Sequence, residues 1–479
     1  MHTSRHRFSL NTIFYAAVFF SILAFALLQP FGDPPDEVNR YKVAQFICNH
    51  GALPTGEEFE VAIGGYGGSY AFQPILPYII QGLFMRLMTL FTTGNQALLL
   101  CARMVNVLFG VIMAVYVRKL SLLLFDNPLS GWLFCLLVMF LPQNLFLHSY
   151  VNTDSMASLA GAIILCACVS GWKTGWKKTD CITLCTGIIF CALSYYNAYG
   201  LIVTAMLLFF FSHLKKNRKG KLSVQWQPLL KKGVFISAVV LAGIGWWFLR
   251  NYRIHDGDFL GLAARQAHAM RTALPEYNPA TRITLAASGV PLKDMLFQMD
   301  FFYYLWNSFV ARFGPMTLPT LPFLYIWYYR IFGFGWLFCL LPSGWCNTVT
   351  PPASRAGQKT ASKNSIYALL FHIPMLLSIL IPMGLCIYYS YASDYQPQGR
   401  YIMPMLIPFM YYTALGFHKL TALAERCLPF AWLKKHCRLI VCGGLMVFLA
   451  GALALTLGAV VIPHYLSGTN LWNGDWIAF

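Results

Sequence analysis

The chain has 479 residues, of which 58% are hydrophobic and 11% charged, against roughly 25% charged in a soluble domain. Its formal net charge of +18 sits in short loops between apolar runs, the positive-inside pattern of a membrane protein rather than the basic face of a nucleic-acid binder. A soluble enzyme and a nucleic-acid partner are thereby excluded. What remains is an all-α polytopic membrane protein, read as one domain over residues 1–479.

Met1 to Arg7 is basic and the run from about Asn11 to Leu28 is apolar. The small-residue pair Ala24 and Ala26 lies inside that run rather than after it, so an uncleaved first span with a cytoplasmic N-terminus is expected instead of a signal peptide. Further runs long enough to cross a bilayer core of about 30 Å fall near 98–117, 128–148, 155–171, 181–195, 198–213, 233–250, 319–341, 364–389, 400–418 and 439–463. That makes about 11 transmembrane helices. The pair 181–195 and 198–213 also reads as one long tilted helix.

Segment 71–93 is long enough to cross but contains Pro74, Pro77 and Arg86. Charge parity decides against it. If it does not cross, 22 of 35 Lys/Arg lie on the cytoplasmic side and 14 of 17 acids outside. The cytoplasmic groups are then Arg118-Lys119, Lys173/Lys177/Lys178, Lys215–Lys232, Arg355/Lys359/Lys363 and Lys419–Arg438. A crossing would move most of these basic loops outside, against the basic N-terminus. Two external segments result, 31–97 with juxtamembrane helices and 251–318, followed at the end of the chain by a short external stub.

Most of the 14 cysteines lie in or beside apolar runs, where Cys behaves as a small hydrophobe. No Cys-x-x-Cys pair and no zinc spacing occurs. The chemistry therefore rests on the acids. Pro34-Pro35-Asp36-Glu37 follows the first span directly and opens a helix expected from Asp36 to about Asn49. A carboxylate there is either a helix cap or a general base poised to take a proton from an alcohol. It can also hold a divalent cation together with a substrate phosphate. Gly64-Gly65-Tyr66-Gly67-Gly68 lacks the strand, helix entry and Lys of a phosphate-binding loop, and reads instead as a flexible lid or acceptor loop.

The Pro-Pro-Asp-Glu step, followed by Gly51-Ala52-Leu53-Pro54, resembles the start of the GT-C membrane glycosyltransferases, and an uncharacterised bacterial branch of them in particular. Gln73-Pro74-Ile75-Leu76-Pro77-Tyr78 is similar to the Pro-Pro-Leu-Tyr-Tyr element before the second span of that family, and Arg103 and Asn106 match its Arg-x-x-Asn/Ser. Asn152-Thr153-Asp154 stands where these enzymes often carry an external Asp. Gln398-Gly399-Arg400-Tyr401-Ile402-Met403-Pro404 resembles the Gln-Gly-Arg-Tyr-x-x-Pro that opens a late span.

The resemblance implies a GT-C-like bundle in a bacterial inner membrane with its active site outside. It implies transfer of a sugar, usually with inversion, from a polyprenyl-phosphate carrier to a glycan, lipid or protein acceptor. The role of base or metal partner falls on Asp36, with Glu37 a second carboxylate. Relatives often carry His where this chain has Arg40, which puts metal-binding schemes in doubt and offers a phosphate cation instead.

The donor phosphate needs a cation at the membrane boundary. Arg400 is the first candidate, either as a bidentate phosphate ligand or as an interfacial anchor, and Arg250 and Arg253 are further ones. Asp154 reads as an N-cap or as a second acid at the site. Gln398, Tyr401, Gln73 and Tyr78 are candidate substrate contacts through their motifs. A lipid-glycan flippase or secondary transporter is the alternative function, disfavoured because no mid-span carboxylates and no repeat are visible. An O-antigen polymerase or ligase is chemically close, but would rest on large external loops with paired arginines.

Overall fold

A computed structural model describes residues 2–216, 221–341 and 364–467. The basic positions Arg218, Lys219, Arg355, Lys359 and Lys363 and the C-terminal stub lie outside the described residues. Each of the eleven apolar runs has a helical counterpart, and six helices are long and apolar enough to cross a membrane by length and composition. In chain order the bundle begins with α1 (His2–Leu28), α2 (Glu37–His50), α3 (Leu76–Met88) and α4 (Asn95–Leu124). Next come α5 (Pro128–Met139), α6 (Pro142–Leu147), α7 (Asp154–Thr174), α8 (Lys178–Ala192), α9 (Gly200–Ser212) and α10 (Trp226–Ile254).

The second long loop carries α11 (Leu262–Thr272), α12 (Leu292–Gln298) and α13 (Phe301–Val310), after which α14 (Pro322–Cys339) and α15 (Asn364–Ala392) return to the bundle. A 3₁₀ turn, Gly399–Met405, runs into α16 (Leu406–Cys427). The last helix, α17 (Ala431–Leu466), is continuous through two π-turns. Strand structure among the described residues is limited to two short hairpins, Leu214–Lys216 with Leu222–Val224 and Arg312–Phe313 with Leu318–Pro319.

Local chemistry explains several of the breaks. Asn127 caps α5 by accepting from the Leu129 and Ser130 amides at 2.9 and 3.3 Å, and Pro128 and Pro142 each open a helix where a missing N–H costs nothing. The region 181–213 is two helices, α8 and α9, separated by the 3₁₀ turn Tyr196–Ala198.

Helices α1 and α4 run antiparallel. Arg118 on α4 donates to Asn11 on α1 at 3.0 Å, while Arg103, four turns earlier on α4, donates to the carbonyls at the end of α1. The chain from 29 to 94 therefore leaves and re-enters the bundle at the same end. Within it α3 has 13 residues, about 20 Å at 1.5 Å per residue. It packs along α2, where Gly82 permits contact with Ala44 and Ile47.

The largely apolar α7 forms the centre of the bundle, with 89% of its apolar window buried, whereas only 17% of that of α10 is. Leu230, Val234 and Leu241 of α10 are exposed. A long helix that is apolar on its outward face faces lipid, so the bundle is a polytopic membrane fold.

Candidate functional site

The site lies at the end of the bundle where α1 stops and α2, α4, α7 and the 399–405 turn meet. After Leu28 the chain is pinned from below. Gln29 donates to Ser149 Oγ at 2.7 Å. Arg103 spends all five guanidinium N–H groups on this corner. Its Nη1 reaches the carbonyls of Ala26 and Gln29 at 2.8 Å each, and Nη2 reaches that of Pro30 at 3.2 Å. Nε and Nη2 grip the Glu37 carboxylate at 2.8 and 2.6 Å. Glu37 also accepts from the Val151 and Gly32 amides at 3.1 and 3.3 Å. Both side chains are fully buried, so Glu37 lies beneath the site with its oxygens already engaged.

Asp36 is the residue before α2 and adopts the left-handed conformation, φ 63° and ψ 4°, which Asp tolerates better than most residues. Its side chain makes no capping bond to the helix. It meets Arg400 instead, with Arg400 Nη1 2.7 Å from Asp36 Oδ2. The Asp36 side chain is 31% exposed against 6% for Arg400, so the carboxylate is the open member of the pair. Burial pushes the Asp36 carboxyl up. The guanidiniums of Arg400 and Arg40 outweigh it, with hydrogen bonds from Arg400 and Tyr70, and hold it below the usual carboxylate range.

The 399–405 turn delivers Arg400 because Gly399 lets it press on α13. Gly399 N–H donates to Ser308 Oγ at 2.7 Å, and a Cβ at Gly399 would overlap the Phe309 backbone. Arg400 Nη2 donates to Tyr401 Oη at 3.1 Å, and that hydroxyl donates to Gln396 Oε1 at 2.6 Å.

One turn after Asp36, Arg40 is buried. Its Nη1 donates to Thr153 Oγ1 at 2.8 Å and stands 3.7 Å from Asp154 Oδ2. The guanidinium carbon lies 4.7 Å from the centre of the Tyr70 ring. Asp154 does not cap its helix; Asn152 does, accepting from the Ser155 amide at 3.0 Å. Asp36, Asp154, Arg40 and Arg400 thus form one compact cluster of two negative and two positive charges. Around it the buried Arg40 Nε, Tyr150 Oη, Gln398 Oε1 and Arg400 Nε have no hydrogen-bond partner within the protein. Unpaired buried polar atoms are costly, and four of them beside a half-open carboxylate fit a site that receives a polar ligand.

The other sequence candidates are placed as follows. Tyr78 is buried within electrostatic reach of Arg40. Gln73 ends the short 3₁₀ turn Tyr70–Phe72, half-buried. Arg250 donates to the carbonyls of Leu53 and Pro54 at 3.1 and 2.8 Å, so it tethers the first loop. Arg253 is exposed near the end of α10.

The glycine run is docked rather than loose: Leu274 N–H donates to Gly65 O at 2.8 Å, and Tyr66 stacks on Tyr277 with centroids 4.1 Å apart. Sequence reasoning missed Tyr70, Tyr150 and Gln396. None carries a motif, although Tyr70 and Tyr150 stand close to the glycine run and to Asn152-Thr153-Asp154. Among the described residues no group of three or more His, Cys, Asp or Glu is placed to hold a metal ion.

No protein-family profile matches the chain, and no curated protein matches it in sequence. Its fold is similar to solved structures. The Archaeoglobus fulgidus oligosaccharyltransferase, tethered with an acceptor peptide containing the NVT sequon, matches over 95% of this chain and 55% of its own, at 12% identity and a TM-score of 0.50. The same enzyme in complex with Zn and sulfate matches over 94% and 53%, at 14% identity and a TM-score of 0.51. ArnT from Cupriavidus metallidurans bound to undecaprenyl phosphate is aligned over 95% of this chain and 73% of its own, at 13% identity and a TM-score of 0.46. The chain spans about half the length of the oligosaccharyltransferase, and at this identity the likeness is one of fold. The chain thus shares the fold of the membrane-embedded oligosaccharyltransferase from Archaeoglobus fulgidus.

Proposed function

We propose that this protein is a membrane glycosyltransferase that moves a sugar from a polyprenyl-phosphate carrier to an acceptor hydroxyl at the external face of a bacterial inner membrane. The observation that carries the reading is the Asp36–Arg400 pair, a partly exposed carboxylate held 2.7 Å from a buried guanidinium at the membrane-boundary end of the bundle. The fold, shared with an oligosaccharyltransferase solved with a tethered acceptor peptide, supports the same class of chemistry.

Asp36 Oδ accepts the proton of the acceptor hydroxyl as that oxygen attacks the anomeric carbon of the sugar. The bond from that carbon to the phosphate oxygen breaks, and the polyprenyl phosphate leaves as an anion that needs no proton. Arg400, always charged and forked, stabilises the leaving phosphate. Its unpaired Nε and its Nη1, now turned to Asp36, are the groups that the phosphate would engage. Donor binding thus competes with Asp36 for Arg400 and loosens the carboxylate into a better base. Attack from the face opposite the phosphate inverts the anomeric centre.

In lipid-reconstituted protein given a polyprenyl-phosphate sugar, Asp36→Asn is expected to lower sugar transfer by about 10²–10⁴-fold while purification yield is kept. Unchanged turnover would remove Asp36 from the mechanism. Arg400→Ala is expected to raise the KM for the donor more than that for the acceptor. An equal rise in both would count against phosphate binding by Arg400.

A further inference from the structure

A divalent cation at this site would have to be held by its acids, and among the described residues the structure leaves only two of them for that. Glu37 is spent on Arg103, so Asp36 and Asp154 remain. A hard cation seeks six or more oxygen ligands and would have to lie where both carboxylates reach it. That place already has an occupant. The Arg40 guanidinium is 3.7 Å from Asp154, bonded to Thr153, and packed against the Tyr70 ring. It rises from α2 one turn after Asp36, near enough to interact with that carboxylate as well.

Arg40 is itself buried and has no open solvent to swing into. The two arginines already balance the two aspartates, so an added metal ion would leave two surplus positive charges in a buried cluster beside a fixed cation. The residues present do not fit a metal.

We infer that the Arg40 guanidinium is the built-in cation of this site, standing in the place that a metal ion bridging Asp36 and Asp154 would need, so that the protein works without one. Arg40 thereby becomes the fixed counter-charge beside both carboxylates. In its turnover arm alone, the inference rests on the proposed sugar transfer.

The test uses the full chain in lipid nanodiscs, with Mn²⁺ as the probe. The wild-type protein is expected to bind no stoichiometric Mn²⁺ by electron paramagnetic resonance, and its sugar transfer is expected to change by no more than about twofold after chelation. Arg40→His exchanges the cation for a ligand and is expected to gain stoichiometric Mn²⁺ binding, lost again when Asp154→Asn is added. Stoichiometric Mn²⁺ on the wild-type protein that disappears in Asp154→Asn would overturn the inference. So would chelator-sensitive transfer restored by Mn²⁺, or a folded Arg40→His protein that binds none. Should Arg40→His fail to fold, the wild-type measurements decide alone. The binding arm needs no sugar transfer, so it stands or falls separately from the proposed activity.

Discussion

The left-handed backbone at Asp36 turns its carboxylate toward Arg400, while the next residue, Glu37, drops its side chain onto Arg103 beneath α2. Two consecutive acids therefore have different physics. Removing one partner of a buried pair strands the other, at a cost on the order of 3–5 kcal/mol. Arg103→Ala and Glu37→Gln are expected to lower the melting temperature and the yield of folded protein, whereas Asp36→Asn, which keeps a residue tolerant of positive φ, is expected to lower turnover at nearly unchanged melting temperature. Thermal unfolding in detergent, read beside transfer rates, separates the two classes.

The same geometry fixes a pH dependence. Asp36 titrates below its ordinary range in the fold. Its ionised form therefore stabilises the protein above the unfolded pKa, and that contribution is lost as pH falls through the folded value. For kcat/KM the wild type should show no acidic limb between about pH 5 and 8 from this group. Arg400→Ala removes the larger of the two charges that oppose burial, so an acidic limb should appear at higher pH than in the wild type. A limb that stays in place would mean that Arg400 does not set the state of Asp36.

At the scale of elements, the motifs are explained by how the helices must approach. Gly399 and Arg400 act together: the glycine admits the 399–405 turn to the α13 backbone, and only that approach sets the arginine beside Asp36. Gly399→Ala is expected to weaken donor use as Arg400→Ala does while leaving Arg400 in the sequence; an unaltered KM for the donor would show that the turn has slack. Asn106 is similar in kind, since its Nδ2 bonds to the Tyr150 and Asn152 carbonyls and so holds the segment that leads to Thr153 and Asp154. These elements were legible as short motifs because each needs one residue type at one place. Thr153, as the partner of Arg40, and Tyr70 and Gln396 were not. A hydroxyl or an amide that meets an arginine from a distant helix leaves no periodic or spaced trace in the chain.

At the scale of the whole molecule, hydropathy and charge parity carried most of the architecture, because a bilayer imposes span length and loop charge on the sequence directly. The separation of α8 from α9 was legible only as one of two readings of 181–213, since both satisfy the same hydropathy, and the 3₁₀ turn Tyr196–Ala198 with packing against α7 and α15 distinguishes them. Segment 71–93 tests the parity argument most sharply. Its helix α3 packs along α2, and the antiparallel α1 and α4 bring the chain back to the end it left. Thr93, just before α4, should then lie on the same membrane face as Asp36, and Lys221, beyond α9, on the other. With Thr93→Cys and Lys221→Cys introduced separately, a membrane-impermeant thiol reagent applied to intact spheroplasts is expected to label position 93 and spare position 221, with the site of labelling read by peptide mass spectrometry. Labelling of position 221 with protection of 93 would mean that 71–93 crosses. The Asp36 site would then have to be reconsidered together with the positive-inside count that places it outside.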